Sequence, residues 1–259
     1  MNRNKYLLLL GALFIHFAGC DDLTCIDGDG IYQTELRNAT AFDQIENLTE
    51  VDVVFTRADT SGISISADHN ILDNIVTQIS GTSLVIKTNP GSSCFNYTQR
   101  PIINVSSPGL KSIFLSGSGD VTADYVDGGE TSLKLTGSGH ITADSISCSK
   151  LTGFISGSGN ITVGFAETAS SDLFISGSGR ILIEGVCDEG KLQISGSGNI
   201  HAEDFVTRTV SATITGSGDA YTNVIDSLTG HISGSGNIHV TGDPEIDVTV
   251  SGSGRVIRD

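Results

Sequence analysis

The sequence predicts an all-β protein built as a parallel β-helix, a β-solenoid with turns of about 20 residues, and three observations carry that prediction. Gly-Ser-Gly recurs at 117–119, 137–139, 157–159, 177–179, 196–198, 216–218, 234–236 and 252–254, with spacings of 20, 20, 20, 19, 20, 18 and 18 residues. A fixed period of this size marks units that bury their apolar faces only against their neighbours. Each unit also alternates with period two: Leu133, Leu135, Gly137, Gly139, Ile141 and Ala143 share one parity, while Lys134, Thr136, Ser138, His140, Thr142 and Asp144 share the other. That is the signature of strand with one buried and one wet face. Finally, the 259 residues include 32 Gly but no Trp, one Met and four Pro, a bias that repeated turns produce.

Taken in order, residues 1–6 form a short basic segment and residues 7–17 an apolar run too short to span a bilayer. They lead into Phe17-Ala18-Gly19-Cys20, which resembles the lipobox of bacterial lipoproteins. Residues 1–19 are therefore read as a lipoprotein signal peptide, and Cys20 as the lipidated, palmitate-bearing residue. Residues 20–38 are read as a tether and 39–259 as a single β-helix domain, with N-terminal turns lacking the motif over 39–110 and eight Gly-Ser-Gly turns over 111–259. Strand patterns at 51–55, 62–66, 83–87 and 102–106 start the sheet system. Between them, Ile71, Leu72, Ile75, Val76 and Ile79 follow helical spacing after Asp68, an N-cap candidate. This segment is either a short helix capping the open end of the solenoid or a further strand.

Within each repeat the sequence predicts two or three short strands, with the Gly-Ser-Gly bend between the first two. The paired glycines fall on the inward parity, where a Cβ would strike the facing wall or forbid a sharp bend. Length changes, as over 124–132 and 184–191, are assigned to looser loops along one edge.

Removal of residues 1–19 takes away Arg3 and Lys5 and no acid, so Lys plus Arg falls from 14 to 12 against 30 Asp plus Glu, a net charge of −18. Such a surface repels phosphate backbones and excludes nucleic acid as a partner. The partners that remain are a membrane, reached through the N-terminal lipid, and a glycan or protein ligand. The address is the cell envelope, lipid-anchored, in the outer membrane of a Gram-negative bacterium. No β-barrel translocator follows the last repeat. Cys148 and Cys187 fall about two turns apart, beyond the roughly 7 Å Cα limit of a disulfide, and are predicted buried and free. Cys25 and Cys94 lie outside the repeat and are the remaining candidates for a disulfide.

Three stretches, Ile71-Leu-Asp-Asn-Ile-Val leading to Ser83-Leu-Val-Ile-Lys, Ile102-Ile-Asn-Val-Ser-Ser-Pro-Gly-Leu-Lys-Ser-Ile, and the serial Ser-Gly-Ser-Gly-Asn-Ile units, together resemble the head GIN domain family. Members of that family are described as auto-transporter adhesins and are frequent in lipoproteins of the Bacteroidetes. The resemblance covers residues 40–259. It implies a right-handed parallel β-helix and an adhesive function.

Ser118 sits in Ser116-Gly-Ser-Gly-Asp120, a unit repeated eight times with no following helix, so an esterase elbow is excluded. The residue after the second glycine runs Asp120, His140, Asn160, Arg180, Asn199, Asp219, Asn237 and Arg255, and its two arginines exclude a regular calcium ladder. Asp124 over Asp144, and Glu184 over Glu203, are weak cation candidates on adjacent turns. His201 and His239 hold equivalent outward positions with Tyr221 between them, too far apart to share one metal ion. The feature singled out as an interaction surface is a double ladder of hydroxyls. One file is Ser116, Thr136, Ser156, Ser176, Ser195, Thr215, Ser233 and Ser251; the other is Ser118, Ser138, Ser158, Ser178, Ser197, Ser217, Ser235 and Ser253. The reading is a non-enzymatic adhesin or surface scaffold with no cofactor and no catalytic residue. The alternative is an envelope carbohydrate-active enzyme drawing on stacked carboxylates.

Overall fold

The computed structural model describes residues 25–91 and 94–259. The proposed signal peptide, Cys20 and the start of the tether lie outside the described residues. The N-terminal part holds β1 (Ile26–Asp27), β2 (Tyr32–Arg37), β3 (Gln44–Asn47), β4 (Asp52–Arg57) and β5 (Gly62–Asp68), then a single helical turn, α1 (His69–Leu72). It continues with β6 (Ile75–Ser80), β7 (Ser83–Thr88), β8 (Phe95–Asn96) and β9 (Ile102–Ser107). The repeats form β10 (Ser112–Leu115), β11 (Val121–Leu135), β12 (His140–Ile155), β13 (Asn160–Ile175), β14 (Arg180–Ile194), β15 (Asn199–Ile214) and β16 (Ala220–Ile232). The last coil is β17 (Ile238–Thr241), β18 (Glu245–Val250) and β19 (Val256–Arg258). Residues 26–27 and 32–37, placed in the tether by the sequence, are thus strand.

From β10 onward every strand pairs in parallel with its counterpart one coil later, as a solenoid requires. Each Gly-Ser-Gly is a corner, and the eight corners bracket seven complete coils. The coil differs in detail from the sequence expectation. Six of the seven, β11 to β16, are one continuous strand of up to 16 residues, the last being split into β17 and β18; in β12 the ladder is interrupted twice, pairing with β13 over 140–143, 145–148 and 150–155 and skipping Asp144 and Ser149. The buried parity shifts at these breaks, from Ile141 and Ala143 to Ile146 and back to Leu151 and Ile155. Three wall segments therefore close around one core. The stretches read as loose loops, 124–132 and 184–191, lie within β11 and β14. Length changes are instead taken up as register shifts, between Val163 and Ala166, Leu182 and Gly185, and on β15 between Ala202 and Val206 and between Thr207 and Thr209. A bulge absorbs one or two extra residues, which stay out of the ladder while the pairing resumes on either side.

Below β10 and β11 lie two coils without the motif. β3 pairs with β10 and β7, and β4 pairs with β11 and β9, all in parallel. At the far end the pairing turns antiparallel: β6 on β7, β5 on β9, and β2 on β5. Helical spacing over 68–79 resolves as one turn, 69–72, that buries Ile71 and Leu72, followed by strand from Ile75. Asp68 makes no side-chain cap bond. Its fully buried carboxylate accepts instead from the backbone N–H of Thr98, at 2.8 Å, and from the Thr98 hydroxyl. Cys25 and Cys94 form a disulfide, tying β1 beside β8. Arg37 closes the turn from outside, donating to the carbonyls of Leu72 and Ile75 at 3.0 and 2.6 Å. No helix among the described residues is long and apolar enough to cross a membrane.

A continuous column of apolar side chains fills the tube, from Leu84 and Ile103 through Leu115, Leu135, Ile155, Ile175, Ile194, Ile214 and Ile232. Such residues contribute about 1.5–3 kcal/mol each on burial, and this column holds the stack together.

Candidate interaction surface

The corners are set by the approach of one coil to the next. A Cβ on Gly157 would stand 1.9 Å from the Gly137 carbonyl oxygen, and one on Gly159 1.9 Å from that of Gly139. The same relation repeats along the stack. None of these glycines has a positive φ. The requirement is therefore axial room against the neighbouring corner, and neither a clash with the facing wall nor a special backbone conformation explains it.

The first corner shows what replaces the motif. By register, Thr49 and Val51 stand where later coils have the two glycines, and Leu48 and Glu50 where they have the hydroxyls. Here the corner is held by its own side chains. Asn47 Nδ2 donates to the Val51 carbonyl at 2.8 Å, Asn47 Oδ1 accepts from the Thr49 N–H and hydroxyl at 3.0 and 2.7 Å, and Thr49 Oγ1 accepts from the Val51 N–H at 3.1 Å. Gly117 then packs directly over the Thr49 backbone.

At each later corner the outward residues of both hydroxyl files are exposed, except the half-buried Thr136. Their backbones are fixed: Ser156 N donates to Leu135 O at 3.0 Å, Ser158 N to Gly137 O at 3.3 Å, and the pattern continues to Ser251 and Ser253. Two side chains in the files have protein partners among the described residues, Thr215 with the Ile194 carbonyl and Ser251 with His231 Nε2, both at 3.4 Å. The rest present their hydroxyls to solvent.

Beside the files runs a structural device missed by the sequence reading. The column set aside as unsuited to calcium is a hydrogen-bond ladder in which each side chain accepts from the backbone N–H one coil later. Asp52 accepts from Asp120 at 2.9 Å, Asp120 from His140 at 2.9 Å, His140 from Asn160 at 3.2 Å and Asn160 from Arg180 at 3.1 Å. Arg180 has no acceptor to offer. There the Asn199 N–H turns to the Gly179 carbonyl, and the ladder resumes from Asn199 to Asp219 to Asn237 to Arg255. The signal was present in the sequence, since six of those eight positions carry an acceptor.

Two aromatic stripes flank the corner. On one side His201, Tyr221 and His239 stack at centroid distances of 4.6 and 4.4 Å, with His201 Nδ1 3.2 Å from Glu203 and His239 Nδ1 3.4 Å from Asp259. Burial, and then the charges of Asp219, Glu203 and Asp259, raise the Tyr221 phenol above its ordinary value. On the other side Phe154 stacks on Phe174 at 5.3 Å, and Lys134 lies between Phe114 and Phe154, 5.4 and 5.6 Å from their ring centroids, within cation–π range. This second stripe also escaped the sequence reading, although the 20-residue period places its members in one file.

Two of the four acids read as weak cation candidates take up other partners. Both oxygens of Asp124 accept from the Arg57 N–H, at 3.0 and 3.1 Å, and Asp144 is exposed at a ladder break. Glu203 turns to His201, and Glu184 lies at the register shift beside it. No group of three or more metal-ligating side chains occurs among the described residues. Cys148 and Cys187 are free, two coils apart, with Thr168 between them in register. Cys187 is buried, which pushes its thiol up; Cys148, expected buried, is half-exposed.

The comparisons with known proteins agree with this geometry. None of the curated proteins matches the chain. Among solved structures, the chain is similar to a "putative lipid binding protein" from Parabacteroides distasonis, at 27% identity and a TM-score of 0.85 over 91% of this chain and 100% of that one. It is also similar to a "putative adhesin" from Parabacteroides merdae, at 26% identity and a TM-score of 0.85 over 90% and 98% of the two chains. A "putative adhesin" from Parabacteroides distasonis, at 24% identity, shares the fold with a TM-score of 0.86 over 91% and 100%. The family model described as "Putative auto-transporter adhesin, head GIN domain" matches residues 41–244, most of the coiled region, and the chain belongs to that family.

Proposed function

We propose that this chain is a non-enzymatic cell-envelope lipoprotein, anchored through Cys20 in the outer membrane of a Gram-negative bacterium, whose solenoid serves as an adhesion scaffold. The observation that carries the reading is the pair of exposed hydroxyl files at corners whose backbone is fixed coil to coil. A partner meeting them orders no loop, so its contacts are not offset by the entropy of arranging the surface. Family membership and the likeness to the Parabacteroides proteins support the adhesive role. The Phe17-Ala18-Gly19-Cys20 motif supports the anchor. Metabolic labelling with a clickable palmitate should mark the wild-type protein, and Cys20→Ala should abolish the mark and release the protein from membranes. Intact cells treated with protease should lose the solenoid. Beads carrying the protein should adhere to host or neighbouring cells, with adhesion reduced at least tenfold when Ser158 and Ser178 are both replaced by Arg. A solenoid shielded from protease on intact cells, or turnover of a glycan by the purified chain, sinks this reading.

A further inference from the structure

We propose a second binding surface, a groove for a linear, uncharged glycan on the wall segment that leads into the corners, its nearer column four residues before the first hydroxyl file. It is a depression of about 300 Å³ lying between two outward columns of β13, β14, β15 and β16. In register, Ser170 and Asp172 are followed by Glu189 and Lys191 one coil on, and two coils further by Ser227 and Thr229. Every rung offers a polar pair, and the rungs repeat at about 4.8 Å, the interstrand spacing. That repeat is close to the advance of one sugar in an extended polysaccharide, so a chain laid along the axis meets the same kind of pair at each unit.

The chemistry of the walls selects the class. Carboxylates accept, Lys191 donates, and the hydroxyls of Ser227 and Thr229 do both and have no side-chain hydrogen-bond partner among the described residues. Lys150 lies 3.0 Å from Asp172 at the lower rim. With two acids and two lysines the groove is locally balanced, within a chain of net charge −16. An anionic polymer is repelled by the whole molecule, and a cationic one meets Lys191. A polyol satisfies donors and acceptors alike. The adjoining groove is different, since exposed Val186 and Ile225 line it.

Affinity electrophoresis in gels carrying soluble β-glucan, galactomannan, arabinan or alginate tests the idea. Retardation is expected with at least one of the three neutral polymers and not with alginate. It should fall at least tenfold in a Ser211→Arg, Thr229→Arg double variant, whose exposed side chains fill the groove without touching the core. It should persist in the Ser158→Arg, Ser178→Arg corner variant, which separates this site from the adhesive surface proposed above. Circular dichroism establishes that both variants keep the β fold. No retardation by any neutral polymer, retardation by alginate, or equal retardation of the groove variant overturns the proposal.

Discussion

The Gly-Ser-Gly glycines give up their side chains to the corner of the neighbouring coil, a demand that can be separated from any preference of the backbone. Gly157→Ala places a Cβ 1.9 Å from a carbonyl oxygen, which only a backbone shift can relieve. Overpacking of this kind costs about 1–3 kcal/mol and more when backbone must move. Gly129→Ala meets nothing within 4 Å and should change stability by less than about 0.5 kcal/mol. Denaturant unfolding of the two variants compares them directly. The acceptor ladder makes a second prediction at this scale. Arg180→Asn offers the Asn199 N–H a side-chain acceptor in place of the Gly179 carbonyl, one bond exchanged for another, and should shift stability by less than about 0.5 kcal/mol, read as a midpoint nearly unchanged at constant slope. The glycine parity was legible in the sequence. The carbonyl facing each glycine was not, because it belongs to a residue 18 to 20 positions earlier, or 68 at the first corner, whose approach only the register sets. The ladder is hidden for a related reason: its residue types read as metal ligands, whereas its partners are backbone groups that every residue of the column carries.

At the level of elements, period two was sufficient to identify strand but insufficient to locate the corners. Asp144 and Ser149 break the ladder without Gly or Pro to announce them, so the parity shift there reads in the sequence as a loss of pattern and suggested loops. The helical spacing over 68–79 left a short helix and a strand both open, and the segment holds one of each. Ile71 and Leu72 do pack as one helical turn, but Ile75 and Ile79 belong to a strand whose antiparallel partner lies across a tight turn at Gly81. Tertiary pairing decided where local spacing was ambiguous. The disulfide belongs to this scale as well. Cys25 and Cys94 enclose a separation of 69 residues, for which chain-entropy arguments give an upper value of about 4 kcal/mol. A Cys25→Ser, Cys94→Ser variant should therefore lose stability chiefly in the N-terminal coils, seen as faster hydrogen exchange over β1–β9 with the β12–β15 core little changed. Unreduced, denatured protein with its N-terminal cysteine blocked should titrate two thiols, Cys148 reacting in the native state well before Cys187.

The whole molecule is a one-dimensional stack in which each coil contacts its two neighbours, so its stability is close to a sum over coils and interfaces. Deleting residues 140–159 joins Gly139 to Asn160 with corner, ladder and core column all in register. That variant should fold to a solenoid one coil shorter, retaining β-type circular dichroism and a cooperative melt at a lower temperature. Deleting only 140–149 shifts every later coil out of register and should yield a protease-sensitive chain. The corners of this stack are unequal. The corner at residues 47–51 is braced by its own Asn47 and Thr49 side chains, with the Leu48 N–H on the Ile86 carbonyl, whereas every Gly-Ser-Gly corner is held by backbone bonds to the coil before it. The Gly-Ser-Gly coils therefore have a polarity of assembly, with a corner braced by side chains before the first of them and dependent copies after it. A polypeptide delivered to the envelope N-terminus first would, from β10 onward, meet a finished template at each step, and over the Gly-Ser-Gly coils its order of emergence would also be its order of folding.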